Sequence, residues 1–443
     1  MPLLHRARFG VVLSVTVGWT LAVSAPETAP LLSDLIEDGE RHFRAALFEP
    51  AERLFRGALA YDAQSAPGHL GLARTLLARG ELAQAQGEAE VAVHLSPSAA
   101  LAHLTLASVR ERAGDITGAA AALDQYLGAA PADDHPVRRR RAESQRALLG
   151  LAGAVPLRTF DRHTRGTISF DVVEDKVVLK ASVNGRIPID VVLDTGAEHL
   201  VLSERTVEHA GVRRAGARGA GRGPEMALAE SFDVAGVTVR RVPAIVRREP
   251  LRVVPNRTGD AFSPIALGLS MIIDYERREL TLADRLPFEP ADVELPLHVL
   301  GLPLVVGASG DESVSFVVDT GSEVTSVSTG TLERAIRAPQ ARRIPMRLFD
   351  VWGAPQPDAF LLTPGIDLSF GAIRLKEYPV VVRSWPDVQA VHGFEMGGIL
   401  GHNFLRRYRV TIDLARRVVR LKRQLPDRPT DTAILVGRGL PPP

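Results

Sequence analysis

Cysteine is absent from this 443-residue chain, which excludes disulfide bonds, thiolate metal sites and a cysteine nucleophile. An excess of charge of one sign is also lacking, because 53 Lys and Arg against 52 Asp and Glu leave a formal net charge of +1. This balance argues against a nucleic-acid partner and against general attraction to anionic membranes. The chain is 45% hydrophobic and 24% charged, as folded globular proteins are, and its length predicts two or three domains.

An apolar run of membrane-spanning length is also missing at the N-terminus, where His5, Arg6 and Arg8 precede the apolar stretch Phe9–Val23. That stretch has about 15 residues, and a membrane span needs roughly 20. Charged, apolar and small residues in this order are typical of a secretory signal peptide. We place it at residues 1–24 and expect export, to the periplasm or the medium. An uncleaved anchor is the alternative, and we expect no stable membrane span.

A 34-residue period runs through residues 31–150, where similar segments begin at Ala46, Gly80 and Gly114. Alanines fall in register within the copies: Ala51, Ala85 and Ala119. Paired amphipathic helices with this period resemble the tetratricopeptide repeat (TPR), although the consensus Trp and Tyr are missing. The resemblance implies an all-α stack that binds peptides or partner proteins in a concave groove. A spacer that positions the rest of the chain is an equal alternative.

A closing helix is expected to begin near Pro136, after the repeats. Its run of four arginines, Arg138–Arg141, is interpreted as the solvated face of that helix and not as a binding patch. Beyond residue 150 the pattern changes from helical to strand-like, so the all-α module is predicted to end there.

In residues 166–423, β-branched and polar residues alternate in short segments bounded by Gly and Pro, which is typical of strands. The dipeptide Asn184-Gly185 predicts a hairpin. The region contains an internal duplication. Its first half contains V-L-D-T-G, its second half contains V-V-D-T-G, and I-D-x-x-R-R stands near the end of both. We therefore predict two copies of one β unit, lobe 1 at residues 166–286 and lobe 2 at residues 287–423. Residues 424–443 are expected to form a loose Pro-rich tail.

Each half places an aspartate at the end of an apolar strand, Asp194 in the first and Asp319 in the second, 125 positions apart. An apolar strand ending in Asp-Thr-Gly, with a later Ile399–Gly401 and a closing strand, resembles the retropepsin-like and pepsin-like aspartic proteases. The resemblance covers residue 166 to about residue 422. It implies a multidomain chain in which the all-α TPR-like module precedes a mostly-β, bilobal acid-protease-like domain.

The resemblance also implies a mechanism. Two carboxylates about 3 Å apart cannot both ionise cheaply, so Asp194 and Asp319 would share one proton and activate a water for peptide-bond hydrolysis. The residues that follow them would support the loops without reacting: Thr195, Gly196, Thr320 and Gly321. Such chemistry needs no metal and no cofactor, and the substrate would be a peptide or a protein.

The first half departs from the pattern of the second. Gly401 stands twelve residues before Asp413, whereas Gly268 stands only six before Asp274. If Ala266–Gly268 is the counterpart of Ile-Leu-Gly in the second half, a helix has been lost or shortened in the first. Lobe 1 would then be partly degenerate, and the geometry of its aspartate would be the weaker half of the site.

Substrate-covering flaps are expected at residues 216–226 and 347–357, between each Asp-Thr-Gly and the next strand pair. Three functions stay open. The first is an exported aspartic endopeptidase with an intramolecular Asp194–Asp319 dyad. The second is an enzyme whose second lobes pair between chains, and the third is a non-catalytic scaffold that binds peptides or partner proteins.

Overall fold

A computed structural model describes residues 31–173, 175–216, 224–247, 259–335, 342–346, 348–349, 355–356 and 358–424. The predicted signal peptide and the predicted tail beyond Gln424 lie outside these residues. So do residues 217–223 of the first predicted flap and most of the second. Within the described part, no helix combines the length and the hydropathy of a membrane span.

Helices α1–α7 form the N-terminal part: α1 (Leu32–Arg44), α2 (Phe48–Tyr61), α3 (Ala66–Ala78), α4 (Leu82–Leu95), α5 (Ala100–Ala113), α6 (Ile116–Ala129) and α7 (Pro136–Ala152). The first helices of the three pairs begin 34 residues apart, and so do the second helices. The all-α repeat module is confirmed, and its closing helix begins at Pro136 as predicted.

Small residues let the helices of this module approach each other closely. Ala51, Ala85 and Ala119 are fully buried. The ring of Phe55 stands where a Cβ on Gly71 would lie. The residues that repeat in the sequence are therefore those that set the spacing of the helices, because close packing tolerates little extra volume.

Strands fill the rest of the described chain. In the first half they are β1 (Arg165–Ser169), β2 (Asp171–Val173), β3 (Lys176–Val183), β4 (Ile187–Leu193), β5 (Leu200–Ser203), β6 (Arg213–Arg214), β7 (Met226–Val234), β8 (Val237–Arg247), β9 (Asp260–Phe262), β10 (Ser270–Asp274) and β11 (Glu279–Ala283), with α8 (Glu204–Ala210) after β5.

In the second half they are β12 (Val293–Pro296), β13 (His298–Leu300), β14 (Leu302–Ser309), β15 (Glu312–Val318), β16 (Ser326–Val327), β17 (Arg342–Pro345), β18 (Leu348–Phe349), β19 (Pro355–Gln356), β20 (Phe360–Phe370), β21 (Ile373–Val382), β22 (Gly398–Leu400), β23 (Tyr408–Asp413) and β24 (Val418–Arg423). The helices among them are α9 (Thr329–Ala335), α10 (Pro386–His392) and α11 (His402–Leu405).

The two lobes repeat one sheet. Lobe 1 has the strand order β2-β3-β4-β9-β5-β8-β7-β6, and lobe 2 has β13-β14-β15-β22-β16-β21-β20-β17. The strands correspond one to one, and in each lobe the strand that precedes the aspartate pairs in parallel with a later strand, β4 with β9 and β15 with β22. The duplication read from the sequence is therefore a duplication of the fold. Strands β18 and β19 pair as a separate hairpin inside the second predicted flap.

The repeated I-D-x-x-R-R endings form the hairpins β10–β11 and β23–β24. These hairpins pair with each other, with Met271 opposite Ile412, in a six-stranded sheet of order β1-β11-β10-β23-β24-β12. Arg409 of β23 donates to the buried carboxylate of Asp274 on β10, with 2.5 Å between Nη1 and Oδ2. This shared sheet joins the lobes and fixes the position of one relative to the other.

The helical module packs directly against both lobes. One core cluster combines side chains of the helices with side chains of lobe 2: Phe43, Phe48, Leu76, Leu302, Leu304, Phe394 and Ile399. A second cluster combines α6 and α7 with Met226 and Leu228 of β7 in lobe 1. The helices are therefore part of the same compact body as the lobes.

The arginine run of α7 was expected to face solvent, and that prediction is wrong for two of its members. Arg138 donates from Nε to the carbonyl oxygen of Ala390 at 2.8 Å, and Arg141 pairs with Glu198 of lobe 1. Arg139 is 42% exposed and pairs only loosely, at 3.5 Å, with Glu143. Docking of the lobes against α7 therefore gives Arg138 and Arg141 protein partners, although their side chains remain 30% and 35% exposed.

Candidate active site

Each aspartate follows the central strand of its lobe. Strand β4 lies between β3 and β9, and β15 lies between β14 and β22, so the two strands are held on both sides. The backbone N–H of Asp194 donates to the carbonyl oxygen of Phe262 at 2.9 Å, and that of Asp319 donates to Leu400 at 3.0 Å. The buried strands thus deliver both carboxyl groups in equivalent settings.

These bonds correct the predicted counterpart of the Ile-Leu-Gly segment. Leu400 supports Asp319, and the residue that supports Asp194 is Phe262 of β9, not a residue of Ala266–Gly268, which lies in a turn. Ser263 is then the match of Gly401. It stands eleven residues before Asp274, close to the twelve of the second half. The spacing of six residues resulted from aligning Ala266–Gly268 with Ile399–Gly401, so it gives no reason to regard lobe 1 as degenerate. Turns take the place of α11 in lobe 1.

The threonines of the two loops lock the loops together. Thr195 N–H donates to Thr320 Oγ1 at 3.1 Å, and Thr320 N–H donates to Thr195 Oγ1 at 3.0 Å. Each hydroxyl also donates across to the strand of the other lobe, Thr195 to the carbonyl of Val318 at 2.6 Å and Thr320 to that of Leu193 at 2.8 Å. Both threonines are fully buried. Four crossed hydrogen bonds therefore join the lobes at the site.

The glycines leave room for the aspartates to face each other. A Cβ on Gly196 would collide with the carboxyl group of Asp319, and one on Gly321 would collide with that of Asp194. The same glycines donate backbone N–H bonds to the carboxyl groups, Gly196 to Asp194 Oδ1 at 3.0 Å and Gly321 to Asp319 Oδ1 at 2.8 Å. The motif needs glycine here because of this close approach of two side chains.

The two carboxyl groups form one titrating unit. The carboxyl groups of Asp194 and Asp319 face each other, each against the glycine of the opposite loop. Burial and the neighbouring Asp319 carboxyl raise the pKa of Asp194 to about 8, and the charge of Lys176 opposes them. Two close, buried carboxyls titrate as a pair, so the pair holds a proton at neutral pH.

Cations from both lobes lie near this pair. Lys176 of β3 donates from Nζ to the carbonyl oxygen of Gly321 and stands 3.6 Å from Glu323. Arg383 follows β21, and burial lowers its pKa while the charge of Asp319 opposes the shift. Among the described residues, no three His, Asp or Glu side chains are grouped as a metal site. The charges at the site are thus carboxylates with basic side chains around them.

Sequence reasoning missed Lys176, Arg383 and the glutamates Glu198 and Glu323. One signal was present, because each glutamate stands four residues after the aspartate of its loop. The basic residues carry no such signal. They reach the site through pairing of distant strands, which no local pattern records.

Comparison with known proteins identifies the class of the β domain. Residues 179–270, which include Asp194, match the family model of the aspartyl proteases. The chain therefore carries an aspartyl protease-like domain after a TPR-like helical module. The match covers most of lobe 1. A search of curated proteins gives no match.

Part of the chain is similar to solved structures at low identity, among them the following three. The TPR domain of Arabidopsis OM64 is 18% identical over 27% of this chain and 93% of that one, with a TM-score of 0.25. The first TPR domain of Spaghetti (RPAP3), bound to an HSP90 peptide, is 16% identical over 27% and 91%, also at 0.25. The translocator chaperone SycD of Yersinia enterocolitica type III secretion is 16% identical over 27% and 84%, at 0.26.

Proposed function

We propose that this protein is an exported aspartic endopeptidase that hydrolyses peptide bonds with a water activated by Asp194 and Asp319. The observation that carries the proposal is the meeting of two Asp-Thr-Gly loops within one chain, joined by the crossed threonine bonds. The raised pKa of Asp194 supplies the shared proton that such a reaction needs. The family match of residues 179–270 supports the same chemistry.

The reaction assigns a different role to each carboxyl group. Asp319 takes a proton from the water as its oxygen attacks the carbonyl carbon of the scissile bond. Asp194 transfers the shared proton to the carbonyl oxygen, which becomes a hydroxyl of the tetrahedral diol. Asp319 then passes the proton taken from the water to the leaving nitrogen. The C–N bond breaks as a diol hydroxyl returns its proton to Asp194, which regenerates the pair. The loops need not move, because the geometry is held before substrate arrives.

Export and partner binding complete the proposal. The charged and apolar order of residues 1–24 supports export. The helical module is proposed to bind a further protein. Such a partner would use surfaces other than the side of α1, α3 and α7 that contacts the lobes, because Phe43, Leu76 and Arg138 already bind this chain's own lobe 2.

Two alternatives predict different behaviour. A dimer of second lobes would need an Asp319 loop free to meet its copy, whereas here that loop is bonded to the Asp194 loop. A non-catalytic scaffold would bind peptides and cleave none. The crossed loops favour the single-chain dyad over the dimer, and a cleavage assay separates it from the scaffold.

Cleavage is expected to decline as the pH rises through about 8, because the pair then loses the shared proton. At lower pH the shared proton is present, so cleavage is expected to persist. The measurement is cleavage of a diverse peptide library by the mature protein from about pH 4 to about pH 9. A rate that kept rising through alkaline pH would contradict the shared-proton mechanism, and no cleavage at any pH would favour the scaffold.

A further inference from the structure

The two active-site loops each carry a buried or half-buried glutamate, Glu198 in lobe 1 and Glu323 in lobe 2, four residues after the aspartate. A carboxylate in this position must be paired, because an unpaired charge near the protein interior is costly and would compete for the loop's hydrogen bonds. The sources of the two pairing cations differ.

Lobe 1 supplies the cation for Glu323. Lys176, the first residue of β3, stands 3.6 Å from Glu323 and bonds the carbonyl of Gly321 in the same loop. The corresponding position in lobe 2, the first residue of β14, is Leu302. By the symmetry of the lobes, lobe 2 should provide a cation to Glu198, and the position from which it would come is apolar.

The helical module supplies the permanently charged partner of Glu198. Arg141 of α7 makes a two-pronged contact with the Glu198 carboxylate, with 3.1 Å between Nη1 and Oε1 and a second bond from Nη2 to Oε2. Nε2 of His392 in α10 of lobe 2 lies 3.0 Å from the same Oε1. Gly301 leaves the space for this cluster, because a Cβ there would collide with the Glu198 carboxylate.

The cluster is strongly ionic and firmly held. Burial acts to raise the pKa of Glu198, but the charges of Arg141 and His392 outweigh it and hold the pKa well below its usual range. Arg138, one turn before Arg141 on α7, bonds the carbonyl of Ala390 in α10. Helix α7 is therefore anchored to the same segment that carries His392, and three separate parts of the fold converge on one carboxylate of the Asp194 loop.

We propose that Arg141 is a positioning residue for the Asp194 loop, so that the helical module forms part of the catalytic unit as well as any binding surface. This inference rests on the proposed peptidase function. It assigns to the module a role that its resemblance to TPR repeats does not suggest. Arg141 does not touch substrate; it acts through Glu198, which continues the chain from the Asp-Thr-Gly turn.

Replacement of Arg141 by Met is expected to lower kcat about 10- to 100-fold with a smaller change in KM, because displacement of a reacting group costs rate more than binding. Arg139→Met, on an exposed position of the same helix, is the matched control and should match the wild type. The double variant Arg141→Met/Glu198→Gln should recover much of the lost rate, because the neutral amide leaves no unpaired buried charge. A double variant no better than Arg141→Met would contradict the assignment.

Hydrogen–deuterium exchange of residues 194–199 tests the inference without relying on cleavage. Faster exchange there in Arg141→Met, with Arg139→Met unchanged, supports the positioning role even in a chain that cleaves nothing. Unchanged exchange overturns it even in an active enzyme. Should Arg141→Met fail to fold, Arg141→Lys keeps the charge and loses the two-pronged contact. Hydrogen–deuterium exchange of residues 194–199 in Arg141→Lys is then the test. Exchange moderately faster than in the wild type is expected, and unchanged exchange would contradict the positioning role.

Discussion

The Asp319→Asn variant is expected to lose peptide cleavage by at least about 10³-fold, because the amide cannot take a proton from the attacking water. The fold should survive. Asp319 Oδ1 accepts a backbone bond from Gly321 at 2.8 Å, and an asparagine oxygen can accept the same bond. Removing one of two close carboxyls also removes their mutual repulsion, so the thermal midpoint should hold or rise.

The measurement is cleavage of one peptide library by wild type and variant at the same pH, beside circular dichroism of both. Asp311→Asn is a suitable control, since Asp311 is an exposed residue of the β14–β15 turn in the same lobe. Retained turnover in Asp319→Asn, with Asp311→Asn equally active, would exclude the proposed base.

The Thr320→Val variant is expected to lower the free energy of unfolding by about 3 kcal/mol and to reduce cleavage more than about 10-fold. Valine keeps the size of threonine and removes the hydroxyl. The N–H of Thr195 and the carbonyl of Leu193 then lose their partners, 3.1 Å and 2.8 Å away in the native protein. An unpaired buried polar group costs about 1–3 kcal/mol, and two are created here.

Thr320→Ser is the matched control, because it keeps the hydroxyl and loses only a methyl group. Urea unfolding of both variants, followed by circular dichroism, measures the difference. If valine and serine variants were equally stable and equally active, the crossed hydrogen bonds would have no part in joining the lobes.

Sequence patterns predicted the parts of this fold that depend on short-range regularity. The 34-residue period predicted the helix pairs α1–α6, because each pair repeats the same small buried alanines. The duplicated Asp-Thr-Gly segments indicated two equal lobes, and the shared strand order bears this out. The candidate aspartates and threonines followed from the same motif, and the structure brings them together in one place.

Long-range contacts could not be predicted in this way. The residue that accepts the backbone bond of Asp194 is Phe262. Ala266–Gly268 shares its Leu-Gly with Ile399–Gly401, so alignment by sequence selects the wrong segment. Arg141 has the sequence signature of a solvated residue because it stands in a run of four arginines, Arg138–Arg141. Its partner Glu198 is 57 positions away, and the docking of α7 against the lobes brings the two side chains into contact.

Docking of the helical module against the lobes had no sequence signal for the same reason. Phe48 and Phe394 belong to one cluster, yet Phe48 is an ordinary apolar residue of α2 and Phe394 lies in the connection between α10 and β22. A pattern states that a face is apolar, and it does not state which distant face will cover it. Module boundaries are therefore easier to read from a sequence than module contacts.

The central claim, that one chain builds one site from both lobes, is tested most directly by the cleavage rate of wild type and Asp194→Asn over a range of protein concentrations. We expect a wild-type rate proportional to concentration and a loss of at least about 10³-fold in Asp194→Asn at every concentration. Cleavage that survives in Asp194→Asn and rises with the square of the concentration would contradict it, and would assign the chemistry to second lobes paired between chains.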